Sequence, residues 1–216
     1  MPAILLSVVV LIVAHEVVTI QEINRTSDMS DRIYAAVKDY LHVTRLGPPD
    51  VAAEYIAARI PSLSEVRNTS FNIAEQAERA QEKFYATKSY DEMLDAAATG
   101  TARGLHWRDV GDEFSIPRLR ALRASSETLA KGRRSTYAHR LIMHDEPQLN
   151  FIILDFKDGS REALFNWDFL GLGKDPTVLV SRDRDIVEMF AIHFEHLWRA
   201  ASPDHDSDTT TSTSTK

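Results

Sequence analysis

The spacing of apolar residues changes several times along the chain, and each change marks an element. Residues 3–20, AILLSVVVLIVAHEVVTI, are apolar almost throughout, with twelve Ile, Leu or Val residues. As a helix they would extend roughly 27 Å, close to the hydrocarbon thickness of a bilayer. Those side chains contribute about −4 to −7 kcal/mol toward insertion, against about +3 for one charge such as Glu16. The pattern therefore predicts a transmembrane anchor over 1–20. Residues 21–49 turn polar, with Ile33, Val37, Tyr40 and Leu41 at helical spacing, and predict a juxtamembrane helix or linker closed by Gly47-Pro48-Pro49. The first cations, Arg25, Arg32 and Lys38, follow the apolar run. The positive-inside rule then places the C-terminal bulk in the cytoplasm, on a single-pass tether.

From 50 to 201 the periods alternate between helix and strand. Residues 50–60 predict a short helix with Val51, Tyr55 and Ile56 inward, and 62–72 a weak strand. A helix begins at Ile73, with Ala74, Ala77, Ala80 and Phe84 on one face. Ser89 and Glu92 form a capping box for a helix over 90–98, with Gly100 as its stop. Residues 105–114 predict a loop or edge strand, and Ser115 with Pro117 opens a helix over 116–130. Strands follow at 137–143 and 151–156, and the Asp158-Gly159 turn returns the chain through 163–169. Residues 177–180 suit a buried strand. Ser181, Asp183 or Asp185 caps a last helix that places Ile186, Val187, Phe190, Phe194, Leu197 and Trp198 on one face. Residues 202–216, SPDHDSDTTTSTSTK, lack the apolar content to order themselves and predict a disordered tail. The fold class expected is α/β, a mixed sheet of four to six strands flanked by helices.

Composition narrows the function more than the fold. With 216 residues, 44% apolar and 26% charged, the chain carries one ordinary core and needs no staples. A net charge of −7 makes a nucleic-acid partner unexpected, because such affinity comes from neutralising phosphates. The absence of cysteine removes thiolate nucleophiles, disulfides and Cys-based metal sites. His193 and His196 have metal-ligand spacing, but Glu195 points away from both on a helix, so no metal is expected, and nothing calls for a cofactor. No P-loop, dinucleotide fingerprint or nucleophile elbow is present. One basic run stands out: Arg118, Arg120, Arg123, Lys131, Arg133, Arg134 and Arg140, against Glu127 alone. It reads as a solvated helix face or as a surface for phosphates of a nucleotide or of anionic lipids. His106, Trp107, Arg108 and Asp109 form a dense polar and aromatic cluster, expected on a loop.

The segment P-x-x-N-F-I-I-L-D, the hairpin after it, a Trp-containing strand and a terminal F-x-x-L-W helix resemble the C-terminal part of phospholipase D-like domains. The resemblance is closest to the non-catalytic versions that act as sensor modules in prokaryotic regulators, and it is clearest over 135–201. Active members of that superfamily carry H-x-K-x-x-x-x-D followed by a small-residue-and-Asn signature. Placing Asp155 on the aspartate puts Gln148 at the histidine and Asn150 at the lysine, with Phe165-Asn166-Trp167 at the later signature. Glutamine cannot attack phosphorus and asparagine offers no charge to the transferring group. No other His-x-Lys spacing exists in the chain.

The resemblance implies a half-domain with a degenerate cleft, lined by Gln148, Asn150 and Asn166; Arg140 of the basic run and His106 of the polar and aromatic cluster are further ligand-binding candidates. It also implies a homodimer or a protein partner, because such halves meet in pairs, and a phosphate-containing small molecule as ligand. The expectation is a membrane-tethered, non-catalytic sensing or interaction module. Two alternatives stay open: a divergent phosphodiesterase using His139 or His144 with Asp155, and a purely structural membrane scaffold.

Overall fold

The computed structural model describes residues 42–71, 85–143, 149–166 and 177–204. The anchor and juxtamembrane segment up to residue 41, and the helix expected from Ile73, lie outside the described residues. Among the described residues, no helix is long and apolar enough to cross a membrane.

The strands are β1 (Val43–Gly47), β2 (Leu63–Ser70), β3 (His106–Gly111), β4 (Tyr137–Leu141), β5 (Phe151–Phe156), β6 (Arg161–Asn166), β7 (Val178–Ser181) and β8 (Ser202–Pro203). They form one mixed eight-stranded sheet in the order β1-β7-β6-β5-β2-β3-β4-β8. The run β2-β3-β4 is parallel and every other pairing is antiparallel. The helices are α1 (Pro49–Arg59), α2 (Lys88–Ala102), α3 (Ile116–Ala130) and α4 (Arg184–Ala200). Parallel neighbours require a crossover, and α2 and α3 lie in the connections between β2, β3 and β4.

Alternation along the strands divides the core into two layers. Val66, Trp107, Tyr137, Leu154, Leu164 and Val180 face α1, α2 and α3, where they meet Ala52, Ile56, Ala97, Ala98 and Leu122. The opposite face is covered by α4. Its buried Val187, Phe190, Phe194 and Leu197 form the stripe expected from their spacing. The Phe190 ring lies 4.9 Å from both Phe151 and Phe165. The Asp183 side chain caps α4, accepting from the backbone N–H groups of Asp185 and Ile186.

Several boundaries differ from the sequence reading, each for a local reason. The sheet has eight strands rather than four to six, because short β1 and β8 join its edges from segments read as linker and tail. Thr87, not Ser89, caps α2 by accepting from the Tyr90 N–H. Gly100 does not stop α2. It lies inside the helix, where an added Cβ would come within 3.0 Å of both Ile60 and Leu105. The segment around His106–Asp109 is neither loop nor edge. It is β3, bounded by parallel strands on both sides.

Candidate functional site

The strand directions give the sheet two ends. At the upper end β2, β3 and β4 finish and β5 begins, and this is the end at which the resemblance would put its cleft. Asn150 sits one residue before β5, and its amide clamps the chain leaving β2. Asn150 Oδ1 accepts from the Phe71 N–H and Nδ2 donates to the Phe71 carbonyl, both at 2.7 Å. Thr69 Oγ1 accepts from the Phe151 N–H at 2.8 Å, so two polar side chains bind these strands where the ladder ends. Asn166 closes β6 at this same end, its backbone paired with Val178. Gln148 and His144 lie outside the described residues. Near Phe71, the Arg118 guanidinium lies 4.0 Å over the Tyr85 ring and donates to Ser70 Oγ at 3.4 Å.

The other ligand candidates do not join this group. Arg140, on β4, donates to the Trp198 carbonyl at 2.8 Å and stacks over the Trp198 ring at 4.6 Å, so it braces the end of α4 against the sheet. His106 opens β3 at the lower end and is exposed. Asn150 and the backbone of Asn166 therefore lie at the same end of the sheet, and His106 lies at the opposite end.

On the face beneath α4, Asp155 is enclosed by two guanidinium groups. Arg67 Nη2 donates to Asp155 Oδ2 at 2.5 Å, and Arg161 Nε donates to Asp155 Oδ1 at 2.7 Å. Arg161 also reaches Glu188 on α4 at 2.8 Å. One strand along, Arg108 bridges Glu65 at 2.8 Å and Glu195 at 2.7 Å. Burial works against the Arg108 charge, but the hydrogen bond to Glu195 and the two carboxylates outweigh it and raise its pKa. The Arg108 hydrogen bond likewise holds Glu195 below the usual carboxylate range. A groove of about 300 Å³ opens over this network, lined by Arg67, Arg161, Glu188, Glu195, His196 and Arg199 among others. Sequence reasoning passed over it, although alternation in SLSEVRNTS already placed Glu65, Arg67 and Thr69 on one face.

His139 lies on the other face of the sheet. Its Nε2 hydrogen-bonds Asp204 Oδ2 at 3.0 Å, and Arg120 on α3 grips both Asp204 oxygens at 2.7 Å. The Arg120 hydrogen bond is the main cause of an Asp204 pKa well below the usual range, with burial opposing it and His139 adding to it. His139 and Asp155 thus sit on opposite sides of the sheet, each paired with other residues. Beside His139, buried Asp109 accepts from Asn68 Nδ2 at 2.6 Å, Trp107 Nε1 at 3.2 Å and Tyr137 OH at 2.7 Å. Burial raises the Asp109 pKa despite these three donors. Among the described residues, no group of His, Asp and Glu side chains is placed to hold a metal ion.

The described residues form an α/β fold with a mixed sheet and helices on both faces. No protein-family model matches the chain. No curated protein is similar to it. Solved structures are similar in fold. TrmBL2, an archaeal chromatin protein whose structure shows a novel mode of DNA binding, matches with a TM-score of 0.50 and 15% identity over 86% of this chain. This chain spans 65% of that protein's length. Nuc from Salmonella typhimurium, a phospholipase D family member, matches with a TM-score of 0.48 and 13% identity over 76% of this chain and 98% of its own. Polyphosphate kinase from Porphyromonas gingivalis matches with a TM-score of 0.46 and 16% identity over 76% of this chain and 26% of its own. A phospholipase D family member is thus among the structures this chain is similar to, and the likeness is one of fold alone.

Proposed function

We propose that the protein is a membrane-tethered binding module that uses a degenerate phospholipase D-like cleft for recognition rather than phosphodiester hydrolysis. One observation carries this reading. The residue in the lysine's place, Asn150, is neutral and spends both ends of its amide on the Phe71 backbone. Phosphoryl transfer needs a cation at that place to stabilise developing charge. Gln148, in the place of the nucleophile, has no nitrogen lone pair for attack. The tether is carried by the apolar run at 3–20. The ligand class is a phosphate-containing small molecule, and the functional unit is a homodimer or a complex with a protein partner.

The test has two arms. In the first, the purified chain is incubated with bis(p-nitrophenyl) phosphate and with nucleic acid; no turnover above buffer is expected. Turnover abolished by His144→Ala would replace this reading with the divergent phosphodiesterase. In the second, thermal-shift screening against nucleotides, phosphosugars and lipid headgroups should find a stabilising ligand. A stoichiometric protein partner with no small-molecule binding would favour the structural scaffold instead.

A further inference from the structure

The direction of β1 ties the tether reading to a charged surface. β1 runs antiparallel to β7, with Val43 opposite Ser181, and following the pairings through β6 and β5 to β2 makes β1 parallel in sense to β2, β3 and β4. The chain therefore reaches the domain, through residue 42, at the lower end, where the parallel strands begin. At that end two adjacent turns carry a concentration of cations that the net charge of −7 conceals.

The first turn links α2 to β3 and exposes Arg103 and His106. The second links α3 to β4 and exposes Lys131, Arg133 and Arg134. Lys131 stands in the left-handed region, with φ of 50°, and Gly132 follows at φ of 83°, so the chain reverses tightly and its cations stay close together. Thr136 joins the two turns: its N–H donates to the Thr101 carbonyl at 3.3 Å and its hydroxyl to the Leu105 carbonyl at 2.5 Å. No acidic residue occurs between Asp95 and Asp109 or between Glu127 and Asp145, and Asp109 is buried away from this surface. Arg103, Lys131, Arg133 and Arg134 have no carboxylate partner among the described residues, whereas Arg120 and Arg123 of the same basic run are paired to Asp204 and Glu127. Lys157, in the β5–β6 turn, adds a further exposed cation at this end. The acids there include Asp158, which accepts from Ser160 in its own turn, Asp183, which caps α4, Asp185 in the first turn of that helix, Glu65, opposite His106 and paired to Arg108, and Glu127, paired to Arg123.

We propose that the lower end of the sheet, centred on Arg103, Lys131, Arg133 and Arg134, is a docking surface for the anionic headgroups of a lipid bilayer. The inference rests on the tether reading, which supplies the membrane; residue 42 marks the end of the sheet at which the chain enters the domain. Exposed, unpaired cations on short turns meet a charged surface without breaking internal ion pairs, and each contributes roughly a fivefold increase in association with an anionic leaflet. A duplex nucleic acid would attract the same charges. The lipid surface is favoured because the tether reading brings a bilayer to the chain, and the polypeptide enters the domain at this end.

The chain has no cysteine, so a single introduced thiol labels one site. Leu129→Cys, at an exposed position in the last turn of α3, reports the lower end; Met143→Cys, exposed beyond β4, reports the upper end. The full chain is reconstituted into phosphatidylcholine vesicles with or without phosphatidylglycerol, each containing a headgroup quencher. The expected result is quenching at Leu129→Cys but not at Met143→Cys, only with phosphatidylglycerol, reversed by about 0.5 M salt. Alanine at Arg103, Lys131, Arg133 and Arg134 together should abolish it. Equal quenching at both labels, quenching in neutral vesicles, or no loss with the four alanines would overturn the proposal. So would loss of the Leu129→Cys quenching on adding duplex DNA of equal charge concentration, which would assign the surface to nucleic acid. Carbonate extraction separates the two readings. A chain that resists extraction but shows no quenching keeps the tether and loses the docking surface. A chain that is released loses the tether, and salt-sensitive quenching removed by the four alanines would still carry the surface.

Discussion

Asn150 holds Phe71 by both of its backbone polar groups, donating to the carbonyl and accepting from the N–H at 2.7 Å each. A side-chain amide has the same donor–acceptor pair as a peptide unit, so Asn150 extends the β2–β5 ladder by one step after regular pairing ends. In the register of the resemblance this is where an active phosphodiesterase presents its lysine. Asn150→Ala should destabilise the protein by about 2 kcal/mol, because it removes both hydrogen bonds to the Phe71 backbone. Asn150→Lys should cost at least as much and should not produce phosphodiester cleavage. Urea denaturation and a chromogenic diester assay check the two statements, and an unchanged midpoint in Asn150→Ala would remove the clamp.

Asp155 neutralises Arg67, whose side chain is only 9% exposed and whose Nε has no partner. Removing the carboxylate leaves a buried guanidinium uncompensated. Asp155→Ala should cost about 3–5 kcal/mol. The double variant Asp155→Leu/Arg67→Met should recover much of that loss, because it removes both charges while filling similar volume. Chemical denaturation of the two single variants and the double variant measures the coupling; strictly additive losses would show that the ion pair is not the cause.

Asp109 predicts a pH dependence of definite sign. Its pKa is raised in the folded protein, first by burial, so the native state holds this proton to higher pH than the unfolded chain does. The resulting stability is fully present below the unfolded carboxylate pKa of about 4 and is lost as pH rises through the raised native value. Asp109→Asn keeps an acceptor for Asn68 and Trp107 and cannot ionise. Its stability relative to the parent protein should increase with pH across the weakly acidic range. Denaturation series at several pH values test this, and parallel curves for the two proteins would contradict it.

Gly111 ends β3 against the turn that starts α3. A Cβ there would overlap the Ser115 hydroxyl and come within 2.8 Å of Leu119 Cδ1. Ser115 is fully buried and held by Asp112 through two hydrogen bonds, so it cannot withdraw easily. Gly111→Ala should cost about 2 kcal/mol through overpacking, while Gly104→Ala, with open space around it, should lose only what its φ of 107° imposes. A thermal-melt comparison ranks the two; a smaller loss at Gly111 would mean that the turn yields.

Much of the architecture was legible in the chain. The α4 stripe and the span of α3 follow from residue spacing, because each helix buries one continuous face, and the limits of β5 follow from a short apolar run that is buried on both faces. That Gln148 and Asn150 are neutral amides, standing in the register of the resemblance where His and Lys would be, is likewise written in the residues themselves. Side-chain identity limits chemistry whatever the fold.

The rest required three dimensions. β3 did not read as a central strand because both of its faces are covered and both carry charge: Asp109 is accepted into the core by Asn68, Trp107 and Tyr137, and Arg108 by Glu65 and Glu195. Those partners lie far away in sequence and become neighbours only through strand register. Nothing in the local pattern separates His139 from Asp155, yet the sheet puts them on opposite faces. The sequence by itself determined which groups exist and which runs can form helix or strand, because those properties are local. Tertiary structure alone decided which charges are spent on one another and which are left for a partner, because pairing depends on distances that only the folded sheet sets.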